Sequence, residues 1–407
     1  MKIKNFLAMM LIALCVVACS DDDETISPAQ AVATTYSGYS NTYSDHFTGS
    51  ITENEKVVIT ANEDGTGTII FTSNSYGITT ISAATVTSGT DGYTISGTGT
   101  SKVTGMTGTT GTYECKLTGT ISTDKSDVKL VFSMDFMGTT VATFYLGDAP
   151  LNLLVAGSYD SYSVGVHNRG VTVSNGESIK LTANTEDGKV NLAYSGQWGT
   201  GTANGITVTK SNGSYTVSGS GTTVIGSGHA GSGNTYEFTV EGTISEDKST
   251  VSFVFTIEMG SMGSTGNGAP VKVTTNLGDA PAAMMIAKTY TGTIDLSTMG
   301  SSQGSYDGQK VTIEAQADGK ITVNLAGFGS APMGFGDMAF ENIEVTVEDD
   351  IYTLAGDIDT TYVNSTGGNT AVVGSLRGTI EGSKANIVFT LTPGLMPMPL
   401  TATFVSE

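Results

Sequence analysis

The feature that most constrains this chain is a long internal repeat. Leu146-Gly147-Asp148-Ala149-Pro150 recurs as Leu277-Gly278-Asp279-Ala280-Pro281. Ala61-Asn62 with Asp64-Gly65 returns as Ala183-Asn184 with Asp187-Gly188, then as Ala315-Gln316 with Asp318-Gly319. Gly119-Thr120-Ile121-Ser122 returns as Gly242-Thr243-Ile244-Ser245 and, shortened, as Gly378-Thr379-Ile380. The closing Ala402-Thr403-Phe404 matches Ala142-Thr143-Phe144. Such spacing far exceeds the about 20–50 residues of a solenoid unit. The repeat therefore marks three tandem domains, at residues 31–150, 151–281 and 282–407, with almost no linker between them.

Within each module the hydrophobic period is two. Val311, Ile313 and Ala315 alternate with Thr312 and Glu314; after Asp318-Gly319, Ile321, Val323 and Leu325 alternate with Thr322 and Asn324. Alternation around Asp-Gly predicts a hairpin with a type I′ turn and one apolar face. Further turns fall at Asp91-Gly92, Asn212-Gly213 and Asp349-Asp350, and at Asp124-Lys125, Asp247-Lys248 and Gly382-Ser383. The count is about eight strands per module, with no helical pattern of useful length. The expected fold is all-β: three tandem antiparallel up-and-down β-barrels, whose closure removes exposed edges. An immunoglobulin-type sandwich is the alternative, but it expects crossover connections and a Cys…Trp…Cys core that is missing here. Cys115, flanked at period two by Tyr113 and Leu117, is expected to point inward as a structural thiol.

Tyr36-Ser37-Gly38, Tyr159-Asp160-Ser161 and Tyr290-Thr291-Gly292 open the first strand of each module. The ANEDG/ANTEDG/AQADG, GYTISG/SYTVSG/IYTLAG and LTGTIS/VEGTIS/LRGTIE segments follow in fixed order. Together they resemble the calycin-like, lipocalin-related β-barrel domain of bacterial surface lipoproteins. The resemblance covers nearly all of the chain after its leader and implies the barrel fold. It carries over no catalytic or binding residue, and the Gly-x-Trp signature of true lipocalins is absent.

The amino terminus supplies an address. Lys2 and Lys4 precede an apolar run from Phe6 to Val17, well short of the about 20 residues a membrane span needs. Residues 1–18 therefore read as a signal peptide. Val16-Val17-Ala18-Cys19 resembles the bacterial lipobox, which implies that Cys19 is lipidated and anchors the chain in a membrane. Residues 19–30 read as an acidic tether, and Ser20-Asp21-Asp22-Asp23-Glu24 resembles a signal for export to the outer face of the outer membrane. A lipid-anchored, surface-exposed protein is the expectation. With Cys15 removed and Cys19 acylated, Cys115 has no disulfide partner. The formal net charge of −21 argues against nucleic acid as a partner.

Motifs for chemistry do not accumulate. Gly226–Gly231 fits GxGxxG, but no helix follows to meet a phosphate. Gly300–Gly304 fits GxSxG inside a Gly/Ser-rich loop, in a module with no histidine. Asp349-Asp350 and Asp357-Ile358-Asp359 read as solvated turns rather than calcium ligands. With only Arg169 and Arg377, an arginine clamp is scarcely available. No enzyme, cofactor or metal site is expected.

Strand parity gives one positive expectation. In an eight-strand meander the short polar turns share one rim and the longer, variable loops share the other, where binding residues collect. The second module places His167, Trp198 and His229 there; the third places Met333, Phe335, Met338, Leu395, Met396 and Met398. These are candidate contacts for a small apolar molecule or a glycan. The competing expectation is that they plug the barrel mouth. The protein would then be a filled-barrel structural element, an adhesin or a subunit beside an outer-membrane partner.

Overall fold

The structure is a computed structural model that describes residues 26–104, 110–136, 138–167, 170–227, 232–259, 270–329, 334–364 and 367–407. It divides into two units, residues 1–150 and 151–407. The signal peptide, Cys19 and the acidic run lie outside the described residues, as do His229 and Met333.

The first unit holds barrel 1, preceded by helix α1 (Pro28–Val32). Its strands are β1 (Thr34–Ser44), β2 (Phe47–Ala61), β3 (Gly67–Ser73) and β4 (Gly77–Ser88), then β5 (Gly92–Thr104), β6 (Thr110–Ser122), β7 (Val128–Asp135) and β8 (Thr139–Leu146). The second unit holds two barrels. Barrel 2 follows α2 (Leu151–Val155) with β9 (Gly157–His167), β10 (Gly170–Ala183), β11 (Val190–Gly196) and β12 (Gly199–Ser211). It continues through β13 (Ser214–Val224), β14 (Thr235–Ser245), β15 (Val251–Ile257) and β16 (Val271–Leu277). Barrel 3 follows α3 (Ala282–Ile286) with β17 (Thr289–Thr298), β18 (Ser301–Ala315), β19 (Ile321–Leu325) and β20 (Met338–Glu348). It ends with β21 (Ile351–Val363), β22 (Asn369–Glu381), β23 (Lys384–Pro393) and β24 (Leu400–Ser406). Each set is a closed antiparallel meander in sequence order, the first strand pairing with the last. The barrel expectation holds and the sandwich does not.

Alternation builds the cores. On β7, Val128, Leu130, Phe132 and Met134 are buried while the intervening residues face outward. On β23, Ala385, Ile387, Phe389 and Leu391 do the same. Cys115 is buried on β6, and burial pushes its thiol up to about 11.

One local expectation is corrected. The Asp-Gly turns are not type I′, which requires two residues with positive φ. In the first of them only Gly65 is left-handed, at φ 83°. Its amide donates to the Asn62 carbonyl at 3.1 Å, and the Asn62 amide donates to the Thr66 carbonyl at 2.8 Å. The Asp64 carboxylate accepts from the Thr66 amide and hydroxyl, which holds Asp64 out of the left-handed region. Paired positive φ occurs instead at Asn212-Gly213 (50° and 77°) and Asp349-Asp350 (49° and 63°).

Helix is sparse among the described residues, as the sequence leads one to expect. Each barrel is preceded by one turn of it, too short to register as a periodic pattern. The helices bury Val32, Val155 and Ile286 against their barrels. Burial of such side chains contributes about 1.5–3 kcal/mol apiece. The first-strand tyrosines lock them in place. Tyr36, Tyr159 and Tyr290 donate to the carbonyls of Val32, Val155 and Ile286 at 2.9, 2.6 and 3.1 Å. Because each helix leads into its first strand, it lies at the rim of the β2–β3, β4–β5 and β6–β7 turns and their counterparts. That rim is the closed one. The other rim, with the β1–β2, β3–β4, β5–β6 and β7–β8 connections, carries the variable loops.

Candidate functional site

A β-bulge in the second strand of each barrel sets the chemistry of the lumen. Its left-handed residue is Asn54, Gly176 or Gly308, at φ 61°, 77° and 67°. The next residue is Glu55, Glu177 or Gln309, paired with Gly38, Ser161 or Gly292 on the first strand. Glu55 and Glu177 are both 1% exposed. Two carboxylates thus stand inside two barrels, while the third barrel carries a half-buried amide.

Barrel 2 satisfies its carboxylate. Glu177 Oε1 accepts from Ser163 Oγ at 2.9 Å and from the Gln197 amide at 3.1 Å, and Oε2 accepts from the Tyr194 hydroxyl at 2.5 Å. Burial, then the neighbouring carboxylate, pushes the Tyr194 phenol well above its ordinary value. Trp198 lies above this network, buried, with the His167 ring edge-on at 5.6 Å. His167 Nε2 is 2.9 Å from Thr172 Oγ1. A void of about 10 Å³ remains between Trp198, Tyr194, Phe238 and Phe255. A space of that size holds about one water and no organic ligand.

Barrel 3 is closed by rings. Phe328 and Phe335 form an isolated bridge and stack at 5.0 Å; Tyr306 lies 5.6 Å from Phe328, and Tyr362 lies 5.4 Å from Phe335. Phe335 and Met338 are buried in the core, whereas Met396 and Met398 are exposed and Leu395 is fully so. The structure therefore separates the candidates of the third module into two sets. Phe335 and Met338 belong to the plug, and Met396 and Met398 belong to the outer surface of the rim.

Barrel 1 differs. Ser40, Thr42, Glu55, Ser73, Thr79, Ser101 and Thr140 are all buried toward its variable rim. Glu55 Oε1 accepts from Ser73 Oγ at 3.2 Å and from the Asn74 amide at 3.1 Å. Glu55 Oε2 and Ser40 Oγ have no hydrogen-bond partner among the described residues. The reason is one missing hydroxyl: Phe71, opposite Val57, stands where barrel 2 has Tyr194 opposite Ile179, so it offers the second oxygen no donor. Burial raises the Glu55 carboxyl above its ordinary range, and the two hydrogen bonds oppose the rise.

The inward carboxylates escaped the sequence reading although a signal was present. Glu55 is in phase with Val57 and Ile59, and Glu177 with Ile179 and Leu181. An acid on the apolar phase of a strand marks a buried ionisable group.

Among the described residues, no helix is long and apolar enough to cross a membrane. No group of His, Cys, Asp and Glu among them could hold a metal ion.

No curated protein matches the chain in sequence. Among solved structures, a chain from Bacteroides fragilis NCTC 9343, provisionally described as an outer membrane protein, is 26% identical with a TM-score of 0.54. That match covers 64% of this chain and 100% of the other. Transferrin binding protein B from serogroup B Neisseria meningitidis is 11% identical with a TM-score of 0.20, over 92% of this chain and 76% of its own. That superposition is too loose to carry an argument. The family model of the calycin-like beta-barrel domain matches at residues 32–148, 155–273 and 286–407, and the chain belongs to that family, whose domain it carries three times.

Proposed function

We propose that this protein is a lipid-anchored lipoprotein of the outer-membrane surface that binds partners on the outside of its barrels, without catalysis. The packed mouths of barrels 2 and 3 carry this reading. Trp198 and the Phe328–Phe335 pair occupy the space an apolar guest would need, and Met396 and Met398 remain outside on the rim. The lipobox-like Val16–Cys19 and the acidic run behind it support anchoring and display. The Bacteroides fragilis relative supports the cell envelope. Two measurements test the proposal. Cys19→Ala abolishes labelling by a palmitate analogue and releases the protein from membranes, and protease added to intact cells removes the wild type. Native mass spectrometry of the mature chain returns apo masses, while glycan arrays or envelope pull-downs respond to Met396→Asp with Met398→Asp. Failure of protease access overturns display; a retained apolar molecule overturns the filled-barrel reading.

A second reading rests on barrel 1 alone. Glu55 Oε2 and Ser40 Oγ are buried with no partner among the described residues, and a small hydrogen-bond donor would satisfy the carboxylate oxygen. A co-purifying polar molecule, lost in Glu55→Gln, would move the binding role into that lumen.

A further inference from the structure

One wall of barrel 3 is not zipped shut. In barrel 1, β4 and β5 pair from Ser88↔Tyr93 to Thr85↔Ser96, pass an irregularity, and pair again from Thr80↔Thr100 to Ile78↔Lys102. In barrel 2, β12 and β13 do the same, resuming from Thr202↔Thr222 to Thr200↔Val224. In barrel 3, β20 and β21 pair from Glu348↔Ile351 to Glu344↔Ala355, and their ladder does not resume. Met338–Asn342 on β20 and Asp357–Tyr362 on β21 therefore share a seam without pairing across it, closed at one end where Gly356 packs on Ile343 and at the other where Gly336 meets the Val363 carbonyl. Each remains paired on its other side, to β19 and β22.

The sequence explains the difference. Where the ladder resumes, barrel 1 reads Gly97-Thr98-Gly99 and barrel 2 reads Gly219-Ser220-Gly221. A Cβ on Gly99 would come 2.1 Å from the Thr80 carbonyl oxygen, and one on Gly221 would come 2.1 Å from that of Thr202. Only glycine permits that approach. Barrel 3 reads Gly356-Asp357-Ile358, in the same register against the next strand: Gly99↔Cys115, Gly221↔Phe238, Ile358↔Gly374. The Ile358 side chain turns into the core and holds β20 away.

The separation opens a groove of about 930 Å³ on the outside of the barrel. Phe340 and Leu376 are buried beneath it, and Ala339 and Ala371 are the exposed apolar residues of its lining. Glu341, Glu344, Asp357 and Asp359 line it as exposed acids, with Arg377 the one cation among its lining residues. Unpaired strand edges are templates for an added strand. We infer that this seam docks an extended segment of another protein whose side chains alternate between apolar and basic. The free edges call for an extended backbone. The small side chains of Ala339 and Ala371 leave room for apolar groups on one face of the strand, and the acids call for Lys or Arg on the other. A second copy of this chain, at net charge −21, lacks that complementarity. The inference names one partner class within the outer-surface binding proposed above. A null result here leaves lipid anchoring and the rim methionines standing, since those are read by different measurements.

The test uses the full mature chain and two fluorescein-labelled probes, (Val-Lys)4 and (Val-Glu)4. Expected results are anisotropy binding of the lysine peptide only, and slowed amide exchange within Met338–Asn342 and Asp357–Tyr362. Asp357→Lys with Asp359→Lys, both exposed, weakens binding by about tenfold or more. Ile358→Gly supplies the missing glycine, protects the seam amides without peptide, and abolishes binding. Should that variant lose its circular dichroism signature, the charge-reversal pair decides alone. The inference is overturned by unchanged exchange at the seam, by equal binding of the glutamate peptide, or by indifference to charge reversal. Acids that merely guard an edge against pairing would give the first of these outcomes.

Discussion

Gly165 lies directly beneath the indole of Trp198: a Cβ at residue 165 would come 2.2 Å from Trp198 Cζ2. The close contact fixes where the mouth of barrel 2 is filled. Gly165→Ala forces the indole to move, and overpacking of this kind costs about 1–3 kcal/mol. Trp198→Ala removes the plug and costs about 3–5 kcal/mol. Trp198 is the single tryptophan, so its fluorescence reads the site directly. A red-shifted emission and a lower urea midpoint are expected for Gly165→Ala. An unshifted spectrum would place the indole elsewhere.

Tyr194 and Phe71 make a reciprocal pair. Tyr194→Phe leaves Glu177 Oε2 without its phenol in a buried site, a loss of about 1–3 kcal/mol. The reverse change in barrel 1, Phe71→Tyr, offers a donor to the unpartnered Glu55 Oε2 while keeping the ring stacked on Phe132 at 4.6 Å. It is expected to raise resistance to urea. Opposite signs for the two changes, read by amide exchange in β11 and β3, are the outcome that supports this assignment.

How far the sequence could be read depended on the range of the interactions involved. Alternation around the Asp-Gly turns gave strands such as Val311–Ala315 and Ile321–Leu325, because period two needs only neighbours along the chain. Parity then placed Trp198 and Met396 at one rim without knowledge of any side-chain contact. The same local logic missed α2 at Leu151–Val155, whose single turn persists by burying Val155 and by accepting the Tyr159 hydroxyl four residues on, contacts that no periodic pattern encodes. It also could not separate plug from surface. Phe335 and Met396 are equally apolar, and only the bridge to Phe328 puts the former inside. The seam at Ile358 was written as G-x-I against G-x-G, yet its meaning depends on the carbonyl that faces residues 99 and 221 across the sheet.

Cys115 is expected to be chemically quiet. Burial inside β6 pushes its thiol up to about 11, so almost none is thiolate at neutral pH. Iodoacetamide should leave Cys115 unmodified in the native mature protein and alkylate it fully in urea. Rapid native alkylation would mean that β6 opens or that the side chain faces solvent.

Glu55 gives a pH dependence of definite sign. Burial raises its carboxyl in the folded chain above the ordinary value of 4.5. The native state therefore binds this proton more tightly than the unfolded state does. Stability contributed at this site is fully present below the ordinary value and falls as pH rises through the raised native one. Glu55→Gln keeps the shape, retains an acceptor for Ser73 and the Asn74 amide, and removes the charge. It should stabilise barrel 1 at pH 7, with a gain that shrinks towards pH 4, as read by amide exchange in β2 and β3. A gain independent of pH would assign the effect to packing, and a loss at pH 7 would mean that the ionised oxygen has a partner after all.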